Sequence, residues 1–191
     1  MKKQIKKAIK YLSSLVFCNF YRILRIFPNN DPIMGCMLPF ARRDKWWQTL
    51  LFPIVAIISF DFITRNIGIW TIGTTLTYSF VGLLFYLYFK NKKNVGLKTY
   101  AKSSVIGVLI FDFLTGPIMS SYLFKMPFIV ATLGQIPFTI MHLTSAVTLT
   151  VILAPVLDPS VRITVQQAFA KHLHAIKFLS STHILEVHKN E

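Results

Sequence analysis

Two aspartates stand in this chain where an aspartate is costly. Asp61 lies in Phe60-Asp61-Phe62-Ile63-Thr64 and Asp112 in Phe111-Asp112-Phe113-Leu114-Thr115, and each copy ends a long apolar run. Placing a carboxylate in hydrocarbon costs roughly 2.5–3.5 kcal/mol, so it turns toward protein and either pairs or does work there. One reading joins Asp61 and Asp112 in a shared polar site that takes a ligand or a cation. The other has each carboxylate accept backbone N–H groups where the next helix starts. Both can hold at once.

Three further groups point to the same place. Gln135, Thr139, His142 and Ser145 fall on one stripe of a helix, and polar residues on one face within a membrane turn toward other helices. Hydrogen bonding between helices is the plain use of that stripe, and lining a substrate cavity with Gln135 and His142 is the sharper one. Trp70 opens another apolar run, where it can stack on a planar ligand or anchor the helix at the interface. Asn29, Asn30 and Asp31 form a polar turn, with ligand contact as a second use. The candidate substrate-binding set is Asp31, Asp61, Trp70, Asp112, Gln135 and His142.

Several chemistries are excluded. No carboxylate or cysteine stands at ligand spacing beside His142, and Cys18 and Cys36 have no metal-ligand spacing, so no metal or cofactor site is expected. No Walker A loop, nucleophile elbow, HExxH or dinucleotide fingerprint occurs. The chain is therefore not an ATPase, and no enzymatic activity is expected.

The elements that must position these residues are membrane helices. Of 191 residues, 53% are hydrophobic and 15% charged, against about 25% charged in a soluble domain; the mean hydropathy is +0.53. The formal net charge is +14, but the basic residues sit between apolar runs. That pattern fits the positive-inside rule and anionic lipid better than nucleic acid.

Taken in order, residues 1–27 predict an amphipathic helix with Ile5, Ile9, Leu12, Leu15 and Val16 on its apolar side, favoured as a first span, with a helix lying on the membrane surface as the alternative. The basic start is not followed by a small-residue cleavage site. Residues 33–41 predict a short, tilted helix that Gly35 and Pro39 can break. Residues 48–64 and 69–89 form a hairpin, and residues 99–115 and 128–157 a second, duplicated one. Gly116-Pro117 is expected to stop the fifth helix, and Pro137 and Pro155 to interrupt the sixth. Gly73 with Thr77, and Ser103 with Gly107, mark close helix packing.

The fold class is thus all-α, a polytopic membrane protein of about six transmembrane helices. Residues 1–159 form the transmembrane domain and 160–191 a cytoplasmic amphipathic tail. Charge sets the orientation: Arg42, Arg43, Lys45, the 90–102 cluster and Arg162 fall on one side, which places both termini in the cytoplasm.

The order of Arg25-Ile26-Phe27-Pro28, Asp31-Pro32, a short helix, a basic pair, Ser59-Phe60-Asp61 and Thr115-Gly116-Pro117 resembles the substrate-binding integral membrane subunits (S components) of energy-coupling factor transporters. The likeness covers roughly residues 11–157. It implies capture of a vitamin or other micronutrient from outside the cell membrane, with a membrane coupling protein and ATPase subunits supplying the energy. The Ala-x-x-x-Ala motif by which that family meets the coupling protein is absent from residues 8–14. A non-transport scaffold or assembly protein, acting through its basic termini, is the alternative.

Overall fold

Asp31 starts the segment around which the other helices gather. In the computed structural model, which describes residues 2–26, 29, 31–92, 94–167 and 169–170, its carboxylate accepts from the N–H groups of Ile33 and Met34. Pro32, which has no N–H to satisfy, occupies the first helical position. The helix that follows, α2 (Pro32–Arg43), is buried along its whole length from Pro32 to Ala41. Its neighbours are α1 (Lys2–Leu24), α3 (Trp46–Ile63), α4 (Ile69–Lys90), α5 (Leu97–Phe113) and α7 (Phe128–Leu157). It runs through Gly35 and Pro39 without the expected break. Gly35 is instead a contact point: a Cβ there would lie 3.1 Å from backbone atoms of Leu149 and Thr150 on α7.

The described residues are helical, with no strand among them. Four helical stretches are long and apolar enough to cross a membrane: Trp46–Ile63, Ile69–Lys90, Leu97–Phe124 and Phe128–Leu157. The chain therefore has the helices of a membrane protein. The first helix and α2 are not among these four; α2 has only 12 residues, about 18 Å of helix against a hydrocarbon core of about 30 Å.

The outer surface agrees with a lipid setting. Ile72, Leu76, Phe80, Leu84 and Leu87 of α4 are all exposed, a stripe at helical spacing that water would penalise and acyl chains would not. Along α1, Ile5, Ile9, Leu12 and Val16 likewise face outward, while Ser14, Leu15 and Cys18 turn inward.

Two expected helix ends are absent. The helix after Asp112 does not stop at Gly116-Pro117. It passes through a π-helical turn, Leu114–Ile118, directly into α6 (Met119–Phe124). A proline ring clashes with the carbonyl four residues back, and the wider π turn makes room for it. Similarly, α7 is one helix of 30 residues with Pro137 and Pro155 inside it. At about 45 Å it is longer than a perpendicular span requires.

One end of the bundle is basic and tied by ion pairs. Asp44 receives Lys7 and Lys10 of α1 at 2.8 and 3.1 Å. Asp158, fully buried, receives Arg43 at 2.7 Å, Arg42 at 3.3 Å and the Tyr100 hydroxyl at 2.9 Å. Burial alone would raise the Asp158 carboxyl; hydrogen bonds from Ser160, Tyr100 and Arg43 outweigh it and hold the group below the usual carboxylate range. A helix resumes over 159–167. Most of the expected tail, including His172, Ile176 and Leu179, lies outside the described residues.

Candidate functional site

The opposite end of the bundle holds a cavity of about 520 Å³. It opens where α1, α3 and α5 finish and α2 and α4 begin, with the middle of α7 along one side. Asp31, Asp61, Trp70 and His142 line it, as do Arg22 and Tyr78. Four of the six residues expected from sequence thus share one cavity, and a fifth, Asp112, is hydrogen-bonded to its wall.

His142 is the centre of that wall. Its Nδ1 lies 2.7 Å from Asp112 Oδ1 and its Nε2 3.0 Å from Asp31 Oδ2, and the three side chains are almost wholly buried. Phe111 and Phe138 pack edge-on against the imidazole. The Tyr78 hydroxyl stands 3.5 Å from Nε2. Asp31 is held a third way, since its own N–H donates to Ser145 Oγ at 3.1 Å. His142 and Ser145 therefore serve as interhelical hydrogen-bonding residues and, for His142, as cavity wall too.

Both nitrogens of His142 face carboxylate oxygens. Either the ring is an imidazolium between two carboxylates, or it is neutral beside one carboxylic acid. Both arrangements hold two protons and carry one net negative charge, so the trio is anionic in either form. The second oxygen of Asp112, Oδ2, is buried with no hydrogen-bond partner among the described residues.

Asp61 sits on the other side of the cavity. Its carboxylate accepts from the Thr71 hydroxyl, and Thr71 Oγ1 in turn accepts from the Gly68 N–H. Asp61 thus braces the start of α4 through an intermediary, which realises the capping expectation indirectly. Asp112 caps nothing; it binds His142. Trp70, expected as anchor or stacking group, lies against the Phe124 ring at 5.5 Å between centroids and also faces the cavity.

Gln135 lies elsewhere. Together with Thr139 it borders a separate apolar groove between α5 and α7, which also reaches Asp112. Its amide packs on the π turn, where a Cβ on Gly116 would meet Gln135 Oε1.

Arg22 is not among the candidate residues expected from the sequence. In the structure its guanidinium stacks 3.8 Å above the Phe60 ring and lines the cavity. Its signal is two-sided: Arg22 is the lone charge of the stretch 15–24, where a charge is costly, but at a helix end it also suits the interface. Tyr78 could have been found from its spacing: Trp70, Thr74 and Tyr78 recur every fourth residue and all line the cavity. No cluster of His, Cys, Asp or Glu fit to hold a metal ion occurs among the described residues.

No family model, no curated protein and no solved structure matches this chain.

Proposed function

We propose that this protein is the substrate-binding subunit of a membrane transporter and that it holds a small organic molecule in the cavity bordered by Asp31, Asp61, Trp70 and His142. The observation that carries the reading is the cavity's content. Charged groups within a lipid-embedded bundle are costly, and beyond the ties that Asp31, His142 and Asp61 make to the helices these groups, together with Arg22, border an open volume. A volume of about 520 Å³ falls within the roughly 300–1,000 Å³ of small-molecule sites, which pair apolar walls with a few placed polar groups.

In this reading the cavity faces outward and the basic end faces the cytoplasm, as the positive-inside rule requires. The protein lies in the cell membrane and crosses it six times, with α1 and α2 as the additional crossings and α3–α4 and α5–α7 as copies of one hairpin. A coupling protein and ATPases supply the energy, as the resemblance to S components implies. The absent Ala-x-x-x-Ala motif means that any coupling protein docks on other residues.

The test is direct. Wild-type protein and Asp61→Asn are purified in mild detergent, and the small molecules released on denaturation are compared by mass spectrometry. A compound present in the wild type and depleted in Asp61→Asn supports the reading. Equal recovery from both, or recovery of nothing, counts against it. Co-purification of ATPase subunits would further support transport over a scaffold role.

A further inference from the structure

Two charges in the cavity lack an ionic partner among the described residues, and they are of opposite sign. The first is Arg22. Its guanidinium carbon lies 3.8 Å from the centroid of the Phe60 ring, a cation–π contact that uses none of its N–H donors in a hydrogen bond. Its Nη1 is buried without a hydrogen-bond partner. The second is Asp61, whose carboxylate takes one hydroxyl hydrogen bond from Thr71 and has no ion pair. Asp31 differs from both: His142 and the N–H groups of Ile33 and Met34 already occupy it.

Burying a guanidinium nitrogen with nothing to accept its hydrogens is expensive, and so is leaving a carboxylate half satisfied beside a cavity. Around these two charges the wall is aromatic, with Trp70 about 40% and Phe138 about 39% exposed. We propose, on the reading that this cavity is the substrate site, that its ligand is amphoteric. It carries an anionic group, of carboxylate type, that docks on Arg22. A donor or cationic nitrogen docks on Asp61, and a planar apolar body lies against Trp70 and Phe138. Bidentate pairing suits the guanidinium fork to a planar carboxylate. The negative charge of the Asp31–His142–Asp112 trio disfavours a ligand that brings an anion alone.

The experiment compares wild type, Arg22→Gln, Arg22→Lys and Asp61→Asn. Compounds released from each purified protein are identified by mass spectrometry, and thermal unfolding is followed with 4-aminobenzoate, benzoate and benzylamine as probes. The expected result is a released compound bearing both an acidic group and a donor nitrogen. It should be depleted at least about tenfold in Arg22→Gln and in Asp61→Asn, the loss of one charge-assisted hydrogen bond, and partly restored in Arg22→Lys. Among the probes, 4-aminobenzoate should stabilise the wild type most, and Arg22→Gln should erase its advantage over benzylamine. A released compound without an acidic group, or undiminished recovery from Arg22→Gln protein that unfolds like the wild type, overturns the inference and leaves the binding site standing. If Arg22→Gln does not fold, the chemistry of the wild-type compound and the probe ranking decide the matter. Nothing released from the wild type, and no stabilisation by any probe, overturns the binding site itself.

Discussion

His142 holds two carboxylates that would otherwise face each other across a low-dielectric interior. Removing it leaves Asp31 and Asp112 without their shared partner, so His142→Ala should cost roughly 3–5 kcal/mol of stability, read as a lowered unfolding transition by circular dichroism in detergent. A cycle sharpens the point. If the His142–Asp112 contact carries the cost, the double variant His142→Gln with Asp112→Asn should lose less than the two single losses added, by roughly 1 kcal/mol or more. Strict additivity would show that the 2.7 Å contact contributes little. The repeated Phe-Asp-Phe copies and the isolated histidine were legible in the sequence because charge in an apolar run has few places to go. Which carboxylate would meet His142 was not, since that depends on the rotation of α5 against α7. Arg22 was missed for a different reason: at a helix end it reads equally well as a snorkelling residue.

Among the helices, α2 comes close to the main chain of α7. Gly35→Ala puts a methyl group 3.1 Å from main-chain atoms of Leu149 and Thr150, which cannot swing aside as a side chain would. It should destabilise by about 1–3 kcal/mol. Gly134→Ala, also on α7, meets nothing within 4 Å and should be neutral or stabilising by up to about 1 kcal/mol through helix propensity. The same change with opposite sign on two helices of one bundle can be checked in parallel unfolding titrations. Helix positions were largely legible from apolar runs and turn residues. Helix ends marked by proline were not. Pro39, Pro137 and Pro155 all sit inside continuous helices, because within a packed bundle neighbouring segments offset the lost hydrogen bond that would end a solvated helix. At the small-residue positions the space is filled by side chains: Cβ atoms at Gly73 and Gly107 would run into Met119 and Met34.

At the scale of the whole molecule, the basic end of the bundle ties stability to acid. Asp158 is held below its ordinary range in the folded protein, so its contribution to stability is present above the unfolded value of about 4 and is lost as pH falls through the folded one. Acid unfolding should therefore begin below about pH 4. Asp158→Asn should be less stable by roughly 3 kcal/mol near neutrality, since two arginines lose their carboxylate. It should also show a flatter profile below about pH 4, measured by thermal unfolding across pH. Orientation can be checked independently: reporter fusions at Ile67 and at Asn94 should read opposite sides of the membrane, and the same side from both would refute the hairpin crossing of α4.

The central helix is shorter than the sheath around it. A peg of 12 residues inside neighbours of 17 to 30 leaves one mouth unplugged, and that recess is bounded below by the residue that caps the peg, Asp31. Its depth is then governed by a single length rather than by many wall contacts. One extra helical turn inserted at the start of the peg would raise the floor by about 5 Å and close most of the recess without disturbing the oily exterior. Specificity for larger or smaller guests can thus drift through short insertions and deletions between residues 26 and 32, leaving the rest of the architecture untouched.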